Sequence, residues 1–278
     1  MKNFIFTTLC FMGVFAPLAQ ADALYIKQDG YILENQTITD YVFVQADDVI
    51  IRNCQFLHPA LPEDGASWYT IRNTGTFSDG TPWSKNLLIE DCIIQGAQSA
   101  TISVTSAIVR NCIIREAGHD AVKAGSNVIF EGNHVSRIGK MQGSVHADGF
   151  QMTGGSNVVI KNNIFDLGTA WGAAHGYKQD ACLMLQDEFQ DLHHITITGN
   201  YFNGGSYSVY INHKDDGPPG QTPHHIRLNG NTWGRDRLYG TVYPDLQWEM
   251  DPTNIQINGN FDYDGTSIPA NLWDGTPW

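Results

Sequence analysis

The sequence is poor in positive charge. Lysine and arginine together number 16, against 29 aspartates and glutamates, and the formal net charge is −13. Domains that bind nucleic acids need a basic surface to neutralise phosphates, so this balance argues against a nucleic acid as partner. An anionic substrate would need local lysine or arginine side chains, or a bridging cation.

Cysteine is also scarce, and the only long apolar run lies at the N-terminus. The five cysteines form no Cys-x-x-Cys pair and no Cys/His spacing typical of zinc. The apolar run from Phe4 to Phe15 follows Lys2 and precedes Ala19-Gln20-Ala21. This pattern predicts a signal peptide over residues 1–21, cleaved near Ala21, and a secreted or periplasmic protein. No other run is long enough to insert into a membrane.

One phrase occurs eight times in the rest of the chain. It reads apolar-x-apolar-x-x-anchor-x-apolar, and its anchor is cysteine or asparagine. The anchors are Cys54, Cys92, Cys112, Asn133, Asn163, Asn200, Asn231 and Asn260. Alternation of period two is typical of a short strand with one buried face. Its repetition at intervals of 20 to 38 residues indicates stacked coils rather than a globule with one core.

The anchors suggest a ladder along the stack. Equivalent residues of neighbouring coils lie about 4.8 Å apart, so stacked asparagines can satisfy one another's buried amides, and cysteine can fill the same row. On these residues the chain resembles the right-handed parallel β-helix proteins of the pectin-lyase-like superfamily. The resemblance implies an all-β, single-domain right-handed parallel β-helix, a solenoid of about eight coils with an Asn/Cys ladder, over residues 22–278. We expect free, buried cysteines, because equivalent side chains in stacked strands rarely reach disulfide geometry.

A second set of short strands precedes the anchor phrases. In members of the superfamily that the chain resembles, strands at this position form the floor of the substrate cleft. The segments are 69–73, 100–106, 120–126, 148–156, 180–186 and 207–214. Their outward side chains are therefore the expected substrate contacts. These are Arg72, Lys123, Gln151, Gln186, Tyr210 and Asn212.

Three aspartates open consecutive strands of this set, each shortly after a basic or imidazole side chain. The pairs are His119 with Asp120, His146 with Asp148, and Lys178 with Asp180. Matching positions would make a column of carboxylates about 5 Å apart. Such neighbours need a shared proton, a Lys or His partner, or a Ca²⁺ ion bound by all three. One aspartate before a strand is often a turn residue, whereas three in register favour function.

The resemblance implies a polysaccharide lyase acting on a uronate-containing polymer. β-Elimination removes the proton at C5 and expels the 4-linked oxygen once the uronate carboxylate is neutralised. A Ca²⁺ ion on the aspartates, or Lys123 or Arg72 with Gln151, would neutralise it. His146 is the first candidate for the base and Lys123 the second, and Tyr210 would protonate the leaving oxygen. An epimerase would use the same groups and return the proton to the opposite face.

The loops between these strands carry further candidates for binding the substrate. Loops over a rigid scaffold often carry binding residues, and aromatic planes suit sugar rings. The candidates in or beside the loops are His119, Trp171, Lys178, His213 and Lys214. Packing of a loop onto the solenoid explains a single tryptophan equally well.

Two alternatives remain open. The segments HADGFQ and QDAC look like altered forms of the NTDGFD and QDDC motifs of the polygalacturonase family, which implies a glycoside hydrolase with Asp148 and Asp180 as acid and base. Gln151 and Ala181 stand where that family has aspartates, and its GHG and RIK motifs are not evident. The other alternative is a non-catalytic polysaccharide-binding or matrix protein. It does not explain the concentration of His, Asp and Lys residues.

Overall fold

The structure, a computed structural model, consists of β-strands arranged in three sheets. It describes residues 23–58, 69–76, 78–140, 146–168, 172, 174, 176, 178–213, 222–243 and 255–268. The predicted signal peptide, residues 1–21, lies outside this part of the chain. Within the described ranges, no helix is both long and apolar enough to cross a membrane.

Successive strands contribute to the three sheets in turn. Sheet A contains β1 (Ala23–Ile26), β4 (Tyr41–Val44), β7 (Tyr69–Arg72), β10 (Ala100–Val104), β13 (Asp120–Ala124), β16 (Asp148–Met152), β19 (Ala181–Gln186), β22 (Tyr207–Asn212) and β25 (Gly240–Val242). Sheet B contains β2 (Ile32–Glu34), β5 (Ile50–Arg52), β8 (Leu87–Glu90), β11 (Ala107–Arg110), β14 (Val128–Glu131), β17 (Gly155–Lys161), β20 (Leu192–Thr198), β23 (His224–Asn229) and β26 (Ile255–Asn258). Sheet C contains β3 (Thr37–Ile38), β6 (Gln55–Leu57), β9 (Ile93–Gln95), β12 (Ile113–Arg115), β15 (His134–Ser136), β18 (Ile164–Asp166), β21 (Tyr201–Asn203), β24 (Thr232–Trp233), β27 (Asn260–Phe261) and β28 (Ser267–Ile268).

One strand from each sheet makes a coil, and the described residues contain nine coils. Each strand pairs in parallel with its equivalent in the next coil, whereas β28 adds to β27 antiparallel. The predicted all-β, right-handed parallel β-helix is therefore confirmed. The prediction of about eight coils is one short. The first coil has Gln36 at the anchor position, beside Cys54. The repeated phrase was defined with cysteine or asparagine at that position, so it did not identify this coil.

The apolar positions of the phrase form the core. Ile51, Ile89 and Val109, each three residues before an anchor, are fully buried. Two residues after the anchors of later coils, Phe165, Phe202 and Trp233 stack along the axis, with ring centroids 5.4 and 5.5 Å apart. The core is therefore a continuous column rather than a single central cluster.

The asparagine anchors form the predicted ladder. The backbone N–H of Asn133 donates to Oδ1 of Asn163 at 2.9 Å, and that of Asn163 donates to Oδ1 of Asn200 at 2.9 Å. Each Nδ2 also donates to a main-chain carbonyl, as Asn163 does to Phe130 at 2.9 Å. One amide thus joins three coils and leaves its own polar atoms satisfied.

Cysteines continue this ladder through the earlier coils. The backbone N–H of Cys54 donates to Sγ of Cys92 at 3.4 Å, and that of Cys112 donates to Oδ1 of Asn133 at 2.9 Å. Cys54, Cys92, Cys112 and Cys182 are all free and buried, as predicted.

A second regular feature precedes every anchor. These residues have φ between 53° and 66°, and all are asparagine, aspartate or glycine. They are Asn35, Asn53, Asp91, Asn111, Gly132, Asn162, Gly199, Gly230 and Gly259. The left-handed conformation turns the chain from sheet B into sheet C, and these residue types adopt it at least cost.

Candidate functional site

Strand register aligns the outward side chains of sheet A in one row along the solenoid, here called the outer row. Its members are Tyr25, Phe43, Arg72, Ser103, Lys123, Gln151, Met184, Tyr210 and Tyr243. Four of the substrate contacts expected from the sequence lie in it, namely Arg72, Lys123, Gln151 and Tyr210. The sheet therefore brings these distant parts of the chain onto one face.

The outer row begins with an aromatic surface that holds a cation. Tyr25 stacks on Phe43 at 5.1 Å, and Phe43 meets Trp83 edge-on at 6.5 Å. The Arg72 guanidinium lies 5.2 Å from the Trp83 ring and 5.1 Å from the Tyr69 ring. Such cation–π contacts hold the guanidinium in place and leave it available to an anion.

The outer row ends in a cluster of tyrosines. Tyr210 stacks on Tyr243 at 4.8 Å, and Tyr207 meets Tyr210 edge-on at 5.6 Å and Tyr239 at 5.6 Å. Burial, followed by the nearby Asp180 carboxylate, raises the pKa of Tyr210 well above its usual value. The phenol is therefore protonated at neutral pH and able to donate a proton or a hydrogen bond.

Asp120 and Asp148 lie in register beneath the outer row, but both are buried. Their exposures are 1% and 0%. Oδ1 of Asp120 accepts the backbone N–H of Asp148 at 2.8 Å, and its Oδ2 lies 3.4 Å from Nζ of Lys123. Gln151 Nε2 donates to Oδ2 of Asp148 at 3.2 Å. The bond from Asp148 to Asp120 ties neighbouring coils together, whereas the contacts with Lys123 and Gln151 each lie within one strand. The burial of Asp148 does not suit direct contact with a substrate.

Burial changes the protonation of both carboxyl groups. It raises the pKa of Asp120 to about 6, against the opposing effect of Lys123. It raises the pKa of Asp148 well above the usual range, and the nearby charges of Asp120 and Asp180 raise it further. The protonated form of Asp148 is therefore favoured.

The prediction that Asp180 lies in the same column as Asp120 and Asp148 is wrong. Asp148 pairs with Ala181, so Asp180 precedes the column by one residue. Side-chain direction changes at each residue of a strand, and this shift brings Asp180 towards the surface. Its side chain is 17% exposed, and its Oδ2 bonds Nδ1 of His146 at 2.9 Å.

The three aspartates do not fit the predicted Ca²⁺ site. Asp120 is engaged by Lys123, Asp148 by Gln151 and Asp180 by His146. Across the part of the chain that the structure describes, no group of three His, Cys, Asp or Glu side chains is placed to hold a metal ion. Calcium needs six or more oxygen ligands, which this arrangement does not gather.

Two imidazoles stand beside Lys123 and Asp180. The His146 side chain is 78% exposed, and its Nδ1–H donating to Asp180 leaves Nε2 as the proton acceptor. His119 is half-buried, and burial lowers its pKa, with smaller effects from the charges of Lys123 and His146. His119 is therefore neutral at neutral pH. Together these groups place a base, His146, and a cation, Lys123, on one surface.

A second histidine–aspartate pair lies at the carboxyl ends of β19 and β22, at the opposite end of the sheet from Asp180. His213 Nδ1 bonds Oδ2 of the buried Asp187 at 2.5 Å. Sequence reasoning selected His213 and missed Asp187. The available signal was register, because Gln186 pairs with Asn212 and the next residues are Asp187 and His213. Gln186 and Asn212 lie over Met184, with their amide nitrogens 3.2 and 3.9 Å from its sulfur.

The remaining predicted contacts lie in loops. Lys178 is anchored by its backbone N–H, which donates to Gly139 at 2.8 Å. Trp171 and Lys214 lie outside the described residues.

Comparisons with known proteins agree with this architecture. The family model described as the right handed beta helix region matches residues 70–232. The crystal structure of PfbA, a surface adhesin of Streptococcus pneumoniae, is similar with a TM-score of 0.58 and 16% identity, over 86% of this chain and 60% of that one. At this identity the likeness shows the fold alone. No curated protein matches the sequence. The chain belongs to the right-handed β-helix family.

Proposed function

We propose that the protein binds an acidic polysaccharide along the outer row of sheet A and cleaves it by β-elimination beside His146 and Asp180. One observation carries the proposal: an exposed histidine is oriented by a carboxylate at 2.9 Å, next to a row that supplies both cations and aromatic rings. An imidazole oriented in this way is a suitable general base.

The outer row supplies the binding surface. Arg72 and Tyr210 lie five coils apart, which is about 24 Å at the spacing of parallel strands. This length suits an oligosaccharide rather than one sugar. Aromatic rings at both ends can pack on sugar C–H groups, while Arg72 and Lys123 offset the net negative charge of the protein locally.

The proposed elimination uses groups around His146. Lys123 binds the uronate carboxylate and makes the C5 proton more acidic. Nε2 of His146 takes that proton, and Asp180 stabilises the imidazolium. The released electron pair forms the C4–C5 double bond as the bond from C4 to the leaving oxygen breaks. Tyr210 donates its proton to that oxygen.

The buried aspartates favour elimination over hydrolysis. Hydrolysis needs two carboxyl groups that reach the glycosidic bond from its two sides. Asp148 is fully buried, and Ala181 occupies the next place in its column. We assign Asp120 and Asp148 a positioning role, since their carboxyl groups contact the side chains of Lys123 and Gln151 on the same strands.

A second candidate function is sugar binding without turnover. The aromatic surfaces of the outer row support this candidate, because aromatic rings can bind a polysaccharide without a catalytic base or acid. The similarity of the fold to a surface adhesin is compatible with it. Export through the predicted signal peptide would place either activity outside the cytoplasm.

Ultraviolet absorbance of the protein mixed with uronate-rich and neutral polysaccharides tests the proposal. Elimination creates an unsaturated, absorbing uronate, so absorbance should rise with a uronate polymer, with or without chelator. His146→Gln should abolish the rise, whereas His134→Gln, a change of an exposed histidine on sheet C, should not. New reducing ends without absorbance would indicate hydrolysis. Binding without new ends would indicate the second candidate.

A further inference from the structure

The outer face of sheet B carries two straight rows over the first six coils. The aliphatic row consists of Ile32, Ile50, Leu88, Ile108, Ile129 and Val159. The charged row consists of Glu34, Arg52, Glu90, Arg110, Glu131 and Lys161. Charge alternates in sign at every step of the second row.

Both rows end at the same coil. In the last three coils the aliphatic row continues as Thr196, Arg227 and Gln256, and the charged row continues as Thr198, Asn229 and Asn258. The solenoid therefore forms without either pattern. The coincidence of their ends indicates that the two rows serve one purpose.

The aliphatic row is accessible to solvent. Ile32 is 46% exposed and Ile108 is 37% exposed. A shallow groove of about 370 Å³ runs beside the middle of the row, where Leu88, Ile108 and Ile129 contribute to its lining. An exposed apolar stripe of this length is typical of a contact surface.

The charged row is paired within the chain, two coils at a time. Arg52 lies 2.7 Å from Glu34, Arg110 lies 2.6 Å from Glu90, and Lys161 lies 3.1 Å from Glu131. Surface pairs of this kind add little to the stability of a monomer. Their exposed sides remain available to a partner.

We propose that this face binds a second copy of the chain, back to back and antiparallel. A two-fold axis along the strand direction, between the third and fourth coils, turns each row onto itself in reverse order. Glu34 then faces Lys161 of the partner subunit. Arg52 faces Glu131 of the partner subunit, and Glu90 faces Arg110 of the partner subunit. Every facing pair has opposite signs, so the surface is complementary to itself.

The size of the face predicts a weak dimer. Six coils extend for about 29 Å, and strands of four residues are about 13 Å wide. This footprint of about 380 Å² per subunit lies below the lower limit for stable complexes, which is about 600 Å² per partner. Association should therefore depend on protein concentration, and it should weaken as salt screens the facing charges.

Charge swaps test the proposal in purified protein by sedimentation equilibrium over a concentration series. Glu34→Arg combined with Arg52→Glu keeps the pair within the chain but makes like charges face across the dimer. Glu131→Lys combined with Lys161→Glu does the same from the other end. Each double swap should raise the dissociation constant at least about tenfold. The four changes together should restore dimerisation.

The central pair gives a matched control. Glu90→Arg combined with Arg110→Glu leaves opposite charges facing each other, so dimerisation should persist. Equal melting temperatures would show that all variants fold. A wild-type protein that stays monomeric at every concentration, or a dimer indifferent to both end swaps, would overturn the proposal.

Discussion

At the scale of single residues, Asp148 is a carboxyl group that the fold keeps away from solvent. Burial raises its pKa above the value in the unfolded chain. Its contribution to stability is therefore greatest at low pH and is lost as pH rises above 4 towards its raised pKa in the folded state. Each unit of the pKa shift corresponds to about 1.4 kcal/mol.

Asp148→Asn should remove this loss. Asparagine does not titrate and can still accept the hydrogen bond from Gln151. We expect the variant to match the wild type near pH 3 and to melt at a higher temperature at pH 8. Asp79→Asn is a control of opposite sign, because hydrogen bonds from Thr81 lower the pKa of Asp79. A constant difference across pH for Asp148→Asn would contradict the protonation argument.

Lys123→Met should raise the pKa of His119. Burial is the main cause of the lowered pKa, and the Lys123 cation is the next. Removal of the cation leaves only burial and the charge of His146. Titration of imidazole signals by NMR measures the change, and Lys161→Met on sheet B serves as the control. An unchanged pKa of His119 would mean that the Lys123 cation does not lie close enough to affect the protonation of His119.

At the scale of elements, the hydrogen bonds of the Asn/Cys ladder stabilise the stacking of neighbouring coils. Asn163→Ala removes the acceptor for two donors of Asn133 and the donor to Phe130. Buried groups left unpaired cost about 1–3 kcal/mol each, so a loss of several kcal/mol is expected. Asn163→Cys should cost less, because Cys92 already accepts a backbone N–H in the same row. Chemical denaturation measures both, and equal losses would argue against the ladder.

Most strands were predictable because burial follows the sequence with period two. The phrase located sheets B and C, and the segments before it located the middle of sheet A. The first coil was missed because Gln36 replaces the expected anchor. The left-handed row was also missed, although its residue types are visible in the sequence, because the phrase left that position unspecified.

The site was predictable only where register was continuous. Lys123 and Gln151 pair, and the sequence indicates this because each follows the aspartate that opens its strand by three residues. Asp180 does not, because the connection between β18 and β19 begins the next strand one residue later than the motif suggested. Asp187 required the pairing of β19 with β22. The length of the connecting loop determines such shifts in strand register. The alternation of apolar residues in the sequence does not reveal them.

At the scale of the whole molecule, each coil packs on its neighbours only. Phe165 is fully buried in the sixth coil and stacks on Phe202. Phe165→Ala should cost about 3–5 kcal/mol, mostly through the cavity that it leaves. Hydrogen exchange should accelerate first in β17 to β21 and least in β1 to β4, because coupling passes from coil to coil. Uniform acceleration would indicate one cooperative unit.

The displacement of Asp180 by one residue has a wider consequence. In a perfectly periodic solenoid, chemistry at a given position is dictated by its column, and a carboxyl in the column of Asp148 is sealed from any reactant. A single-residue slip converted the same functional group into a solvent-reachable partner for His146. A change in the length of one connection can therefore expose a functional group at a single coil while the stacked framework stays the same.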